Sequence, residues 1–457
     1  MRRNFNPVVF GVISVAFLVV PSTDCFVPGP SLIPLRLEKS LVSKNHPLGQ
    51  KASLSEDLGH LQQQEYVSVD LPPVDPSTTP RQRDAAQTTT RITLTRFLSN
   101  AAKDNPELED LESLLLAVQM ACKTIGNLVN RAGLVYSIQT PQQGQEQQQQ
   151  QDGSSVAGND YSDGRFYSMK RLDRLSTTIL RNALEFTGNV HIIAPEAKMD
   201  SERPEQHQPG VLIASARDSN YVACLDPLDG SGNADASICT GTVFGVFELD
   251  EDSRNGVSAD GDYEPLLEAV LQPGRNMRAA GYCLYSSATV LVFTLKDGVY
   301  GFTLDPQLNE FVLTHDNVTI PRRGNVYSCN EANSEGWSDE WKSYLRKLKL
   351  GEGETKTRYT HRYVGSMLGD IHRTLLYGGI FAYPSDRLHK PHGNLQLLYK
   401  SAPMAFIVDN AGGKAIDESG ANLLDKRPER IHQKSTCFLG SPDDIDELKK
   451  ELDKKNH

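Results

Sequence analysis

An apolar run that ends in two aspartates and then breaks into glycines constrains this chain more than any other feature. Residues 221–225 read as a short buried strand, and Asp226-Pro227-Leu228-Asp229-Gly230-Ser231-Gly232-Asn233 follows directly. Two carboxylates three residues apart at a strand end, with a carbonyl between them, can aim their oxygens at one point. A hard cation such as Mg²⁺ takes an oxygen-only set of this kind. The Gly-Ser-Gly that follows lets backbone N–H groups approach a phosphate, as nests and helix N-termini do. Aspartate beside glycine and proline also makes an ordinary turn, so the weight rests on the whole octet.

The chain has 457 residues, more than one average domain, and its 38% apolar content is enough for a large core. Its formal charge of −11 points away from nucleic acid or an anionic membrane as a partner. Seven cysteines with no CxxC pair argue against a disulfide framework or a structural zinc site, and for buried thiols. Arg2 and Arg3 precede an apolar run over 8–20, then Pro21 and small polar residues to Cys25. This is the layout of a secretory signal peptide over residues 1–25, too short to span a bilayer; a membrane anchor is the alternative. Residues 26–90, rich in Ser, Thr, Gln and Pro, read as a disordered transit peptide or linker.

Order is expected from about Ile92. Asn105 and Pro106 open a helix as N-cap and first residue, and Gly133 fits its end. Leu108, Leu111, Leu115, Val118, Cys122, Ile125 and Val129 form its apolar stripe. Residues 139–164 are a polar surface loop rich in Gln, Gly, Ser and Asp. A second helix carries Leu172, Leu175, Ile179, Ala183 and Phe186 on one face and stops at Gly188. Short β runs follow at 191–194, 221–226 and 242–247, with a hairpin at 290–295 and 299–304 around Lys296-Asp297-Gly298. The C-terminal third is expected to hold apolar strands at 379–383 and 404–408, and a charged helix from Asp443. The mixed order predicts a layered α+β body in two lobes.

The octet resembles the metal motif of the sugar and inositol phosphatase superfamily, and its surroundings narrow the resemblance to class 1 fructose-1,6-bisphosphatases. Asn330-Glu331, residues 362–367 (Arg-Tyr-Val-Gly-Ser-Met), Asp370, His372-Arg373-Thr374 and residues 377–381 (Tyr-Gly-Gly-Ile-Phe) follow that family closely. So do residues 402–406 (Ala-Pro-Met-Ala-Phe) and Ala411-Gly412-Gly413. Residues 272–274 (Gln-Pro-Gly) and 279–283 (Ala-Ala-Gly-Tyr-Cys) resemble the plastid branch. The leader, with Phe26 just after the signal peptide, resembles those of algae whose plastids lie inside extra membranes. The resemblance spans about 92–452. It implies an αβαβα sandwich with an N-terminal lobe over 91–316 and a C-terminal lobe over 317–453. It implies hydrolysis of the 1-phosphate of fructose 1,6-bisphosphate with two or three Mg²⁺, in plastid carbon metabolism or gluconeogenesis. Sedoheptulose-bisphosphate hydrolysis fits less well, because Asn233 and the 362–367 segment resemble the fructose enzyme.

By the same resemblance, Glu196, Asp226, the Leu228 carbonyl and Asp229 are metal ligands, and Asp173 helps activate water, with Glu196 the second catalytic carboxylate. Gly230 and Ser231 hold the 1-phosphate. Asn330, Tyr363 and Tyr383 hold the 6-phosphate, with Arg362 reaching in from a neighbouring subunit. The implied assembly is a homotetramer or a hetero-oligomer with an active paralogue, with no nucleic acid and no membrane once the leader is removed. The implied compartment is the plastid, with secretion as the alternative.

The chain departs from the family pattern mainly in the chemical half of the site. Ala197 stands where the family has a second acid beside Glu196, and Tyr167 replaces an acid six residues before Asp173. Asn394, Gln396 and Lys400 stand where the family carries Lys, Arg and Glu. Lys400 is the largest change, since a metal-binding carboxylate has become an ammonium. The ammonium can sit among the carboxylates as a cation, it can point to solvent, or Glu202 or Glu205 can complete the metal set. These replacements point to a sugar-phosphate binder or an impaired subunit as the alternative function. Residues 250–262, where plastid relatives carry a redox loop, hold no cysteine. No Gly-Thr-Gly-Glu string lies between Phe97 and Leu111, and Asn220 replaces a lysine of the AMP site. Thioredoxin control through that loop and AMP inhibition are therefore not expected.

Overall fold

The computed structural model describes residues 91–132, 161–196, 212–213, 219–249 and 263–456. The leader, residues 139–160 of the polar loop, Gly133, Ala197, Glu202, Glu205 and the 250–262 segment lie outside the described residues.

Among the described residues three helices come first: α1 (Leu94–Asp104), α2 (Glu109–Asn130) and α3 (Tyr161–Thr187). Asn105 and Pro106 cap a single 3₁₀ turn (Pro106–Leu108) that runs into α2, rather than α2 itself. The helix α1 ahead of it is an element the sequence reading did not resolve. The helix α3 takes up residues 161–164 of the predicted polar loop and ends before Gly188, whose φ of +71° suits a helix stop.

Eight strands then form one sheet. They are β1 (Ile192–Pro195), β2 (Leu212–Ile213), β3 (Tyr221–Asp229), β4 (Thr240–Glu248), β5 (Met277–Tyr285), β6 (Thr289–Thr294), β7 (Val299–Asp305) and β8 (Glu310–His315). Their order is β2-β1-β3-β4-β5-β6-β7-β8, with helix α4 (Tyr263–Val270) between β4 and β5 in sequence. The predicted hairpin is β6–β7, and Lys296 (φ 78°) and Gly298 (φ 132°) supply its left-handed positions.

A second sheet has the order β10-β9-β11-β15-β13, built from β9 (Val326–Ser328), β10 (Thr360–His361), β11 (Ile380–Tyr383), β13 (Lys414–Ile416) and β15 (Cys437–Gly440). A two-stranded pair joins β12 (Leu395–Gln396) to β14 (Lys434–Ser435). The remaining helices are α5 (Asp339–Leu350), α6 (Met367–Tyr377), α7 (Ala402–Asn410) and α8 (Pro442–Leu452).

Burial sorts these elements into layers. Along β3, Tyr221, Ala223 and Leu225 pack with Leu111, Leu115 and Leu180 of α2 and α3. The alternate residues Val222 and Cys224 pack with Leu368 and Ile371 of α6 and with Met404 and Ile407 of α7. Period-two alternation thus feeds two cores, so the strand is apolar on both faces. A third core places Ile380, Ala382 and Phe438 of the second sheet against Trp341 and Tyr344 of α5 and Leu448 of α8. The stack is helices, sheet, helices, sheet, helices, the αβαβα sandwich that the resemblance implied.

Two local expectations need correction. The run 404–408 is helical: Pro403 lies in the first turn of α7, and residues 402–408 are apolar and buried on all sides between two sheets. In α3 the buried face is Leu172, Ser176, Leu180 and Leu184, while Phe186 is 94% exposed and Leu175 is exposed. A polar residue, Ser176, lies on the inner stripe, which hid the true face from a hydrophobic count.

Gly241 of β4 sits directly across from Asp229 in the sheet register. A Cβ there would fall 2.3 Å from the Cys283 carbonyl oxygen and 2.5 Å from Leu368 Cδ1, so α6 packs on the sheet only over a bare backbone. Gly241→Ala is expected to destabilise the fold by about 1–3 kcal/mol, the range for overpacking a closed core. A urea-unfolding midpoint equal to wild type would contradict this close approach.

Candidate functional site

The octet does not follow its strand; β3 runs through it to Asp229, with a register shift between Asp226 and Asp229. Asp226 pairs with Val243 and Asp229 with Gly241, so Pro227 and Leu228 together face Thr242 alone. That extra residue is a bulge. In an unbroken strand, residues three apart point to opposite faces, and the bulge returns both aspartates to one side. Thr242 Oγ1 fixes it by donating to the Pro227 carbonyl at 2.8 Å while sharing a 2.7 Å bond with the Tyr285 hydroxyl. Leu228, between the aspartates, buries its side chain in the core under α2 and α3. Gly230 then takes a left-handed φ of +72°, which starts the short 3₁₀ turn Ser231–Asn233.

Beside this tip, Glu196 leaves the end of β1 with its amide held 2.8 Å from the Leu225 carbonyl. Lys400 enters from the other side, on a one-turn π-helix (Leu397–Ser401) just ahead of α7. Its Nζ lies 3.2 Å from Glu196 Oε2, 3.2 Å from Asp226 Oδ2 and 3.0 Å from Asp229 Oδ1. The inward reading of Lys400 is therefore the one the structure displays. Burial opposes the charge on this lysine, yet Asp226, Asp229 and Glu196 together hold it well above the ordinary lysine range. Asp226 is pushed the same way, upward, by burial first and then by Glu196 and Asp229, against the pull of Lys400.

Asp173, on α3, completes this half. Its Oδ2 accepts a 3.2 Å bond from Ser231 Oγ. Burial, helped by Glu196 and opposed by Ser231 and Lys400, raises its carboxyl to about 6. A carboxyl in that range beside a hydroxyl can exchange a proton near neutral pH. Tyr167 lies on the same helix, and its side chain is outside the described residues.

The other half belongs to the second sheet. Asn330 caps a 3₁₀ turn, accepting from the Ala332 amide at 3.2 Å. Tyr327, His361 and Tyr363 stack in sequence, with ring centroids 5.0 and 6.5 Å apart. Tyr363 is pushed up to about 12 by burial and by the neighbouring Tyr383. Arg362 is exposed. The loop carrying Arg362 and Tyr363 is tied to the fully buried Asp370, which accepts from the Val364 amide at 3.0 Å and from Arg373 at 2.6 Å. The same guanidinium reaches Ser328 Oγ at 2.5 Å and the Arg362 carbonyl at 3.1 Å. Asn233 Nδ2 donates to the Gly365 carbonyl at 3.2 Å and joins the two halves.

One basic residue escaped the sequence reading. Asn394, which the resemblance sets where the family carries lysine, donates from Nδ2 to the Tyr383 hydroxyl at 3.4 Å and accepts at Oδ1 from Lys434 Nζ at 2.8 Å. Lys434 comes from β14, so an ammonium meets Asn394 from the opposite strand. Only the pairing of β12 with β14, forty residues apart, reveals it. Gln396, which the resemblance sets where the family carries arginine, has its Oε1 buried with no hydrogen-bond partner among the described residues.

As they stand, the residues do not fit a divalent metal. Mg²⁺ needs oxygens at about 2.0–2.1 Å in near-octahedral array, whereas these oxygens close on an ammonium at 3.0–3.2 Å. A dication about 4 Å from that ammonium would meet a repulsion of about 8 kcal/mol at an effective dielectric of about 20. A second cluster, Cys329, Glu331 and His361, also has metal-like spacing. Its donors are engaged otherwise: burial raises the Cys329 thiol to about 12, Glu331 pairs with Tyr327 and Lys349, and His361 Nε2 meets the Cys329 carbonyl. The described cysteines are unpaired, and most are buried, as expected.

Comparison with known proteins covers both halves. Family models described as the N-terminal and C-terminal domains of fructose-1-6-bisphosphatase match residues 92–316 and 320–453. The chain is 40% identical over 383 residues to the chloroplastic fructose-1,6-bisphosphatase 1 of Arabidopsis thaliana, covering 81% of this chain and 85% of that one. It is 38% identical over 379 residues to the cytosolic enzyme of the same plant, covering 81% of this chain and 98% of the other. The holo form of Leishmania major fructose-1,6-bisphosphatase superposes with a TM-score of 0.65 at 35% identity, over 80% of this chain and 100% of that one.

Removing one partner of a buried charge pair costs about 3–5 kcal/mol, and Asp370 is such a partner. Asp370→Ala is expected to lower stability by that amount and to loosen the 362–366 loop. An unchanged thermal midpoint, with the loop amides exchanging at wild-type rates, would rule out this anchoring.

Proposed function

Because this chain belongs to the fructose-1,6-bisphosphatase family of phosphoric monoester hydrolases, we propose that it acts on fructose 1,6-bisphosphate. The 1-phosphate would be released and fructose 6-phosphate left. The observation that carries this reading is the Asn233–Gly365 bond, which sets the aspartate–serine tip against the Arg362–Tyr363 loop. On this reading the two halves, so joined, would each take one phosphate of a bisphosphate. Gly230 and Ser231 would hold the 1-phosphate, and Asn330, Tyr363 and Tyr383 the 6-phosphate. Lys434 would supply the ammonium that Asn394 lacks. Asp173 would take up a proton from water with its carboxyl poised near 6.

Divalent-metal dependence accompanies the family. Mg²⁺ would be the ion, with Glu196, Asp226, the Leu228 carbonyl and Asp229 as ligands, and their use requires Lys400 to leave. The lobes would divide at about 316, with 91–316 carrying the carboxylates and 317–453 the 6-phosphate groups. A homotetramer, or a hetero-oligomer with an active paralogue, would bring Arg362 to a neighbouring site. The chloroplastic relatives and the leader support a plastid location; secretion is the alternative. Among the described residues, no helix is long and apolar enough to cross a membrane. The Lys400 contacts favour a second reading, a sugar-phosphate-binding subunit that hydrolyses little by itself.

Calorimetry with fructose 6-phosphate and phosphate release from fructose 1,6-bisphosphate test the assignment together. Binding with turnover supports the hydrolase, and binding without turnover supports the second reading. Neither binding nor turnover would sink both. Lys434→Gln should weaken fructose 6-phosphate binding roughly tenfold, the worth of one charge-assisted hydrogen bond. Adding Asn394→Lys should restore it, and an unaltered affinity in Lys434→Gln would remove that residue from the subsite.

A further inference from the structure

Three carboxylates reach the same ammonium from three backbone positions: the end of β1, the start of the β3 bulge and its end. All three contacts fall between 3.0 and 3.2 Å. The lysine side chain is 16% exposed, and those of Asp226 and Asp229 are 4% and 9%. The turn that carries Lys400 has little freedom. Leu397, Leu398, Tyr399 and Ser401 are all buried, and the Leu397 amide is held by the Gln433 carbonyl at 2.8 Å. A π-turn inserts one residue into the helical ladder and so rotates its side chains away from their α-helical directions; here Lys400 is directed into the acid cluster.

We infer that Lys400 is a tethered cation: its ammonium takes the place of a divalent ion among Glu196, Asp226 and Asp229, so the cluster holds together and sugar phosphate binds without divalent metal. Phosphate release is consequently slow in the wild-type chain. A solvated divalent ion must displace a covalently attached competitor whose local concentration does not fall on dilution. From the preceding reading this inference takes only the identity of the anionic ligand.

The test is a Mn²⁺ titration of the full chain followed by electron paramagnetic resonance, for wild type, Lys400→Ala and Lys400→Glu. Lys400→Glu is expected to bind Mn²⁺ roughly 100-fold more tightly than wild type, the scale on which a change around a metal site alters affinity. Lys400→Ala should fall between them. The wild-type melting temperature should be unmoved by Mg²⁺ or by chelator, while that of Lys400→Glu should rise with Mg²⁺. Phosphate release from fructose 1,6-bisphosphate should increase with the metal affinity. Wild type that binds Mn²⁺ as tightly as Lys400→Glu would overturn the inference, and this wild-type measurement stands even if a variant fails to fold. Fructose 6-phosphate binding in chelator separates the two readings. If wild type excludes Mn²⁺ but also fails to bind the sugar phosphate, the substrate assignment falls while the tethered cation holds.

Discussion

The bulge in β3 is the constraint on which the site depends. Strand geometry alone would send Asp226 and Asp229 to opposite faces of the sheet, one towards α2 and α3 and the other towards α6 and α7. One extra residue across from Thr242 brings both to the sheet's end on the same side. Such an insertion leaves ladder groups unpaired, and the Thr242 hydroxyl takes up the Pro227 carbonyl. Proline itself suits the position, since it has no N–H to lose from the ladder. Gly241 and Gly230 answer to the same geometry: the first lets α6 close over the partner strand, and the second turns the chain before Ser231.

Much of this was legible in the sequence, though not the step that makes it work. The octet named the carboxylates, and the resemblance named the layers, because family motifs are spread over both sheets. The bulge was invisible, since a period of two gives no hint that the pairing shifts at Pro227. The inner face of α3 was misjudged because Ser176 lies on it while Leu175 and Phe186 point outward. The segment 404–408 was misread because five apolar residues look alike in a buried strand and in a helix enclosed by two sheets. Lys434 was out of reach of any local pattern, since only strand pairing brings it to Asn394.

The two halves of the site handle buried charge differently. Around Asp370, one carboxylate accepts from one guanidinium and from the Val364 amide, and the same Arg373 nitrogen, Nη2, also reaches Ser328 and the Arg362 carbonyl. These bonds tie the 362–364 segment to α6, while Arg373 Nε is buried without a hydrogen-bond partner among the described residues. Around Lys400, three carboxylates share one ammonium, leaving a formal charge of −2 in a largely enclosed space. Burial first, and then repulsion from Glu196 and Asp229, push the Asp226 carboxyl upward despite the ammonium beside it.

This imbalance links fold to function. A cluster of acids converging from β1 and β3 cannot stay together uncompensated, because each desolvated carboxylate repels the others. A cation among them offsets that repulsion. A divalent ion would supply the charge from solution and couple the geometry of the site to its concentration. An ammonium on the π-turn before α7 supplies part of it from within the chain, at a fixed place and with no dependence on solution. It has no open coordination position for water, and it draws in its oxygens about 1 Å farther out than Mg²⁺ does. An ammonium held at that tip thus keeps the carboxylates of β1 and β3 together, as the tethered-cation inference requires, while opposing a divalent ion at the same place.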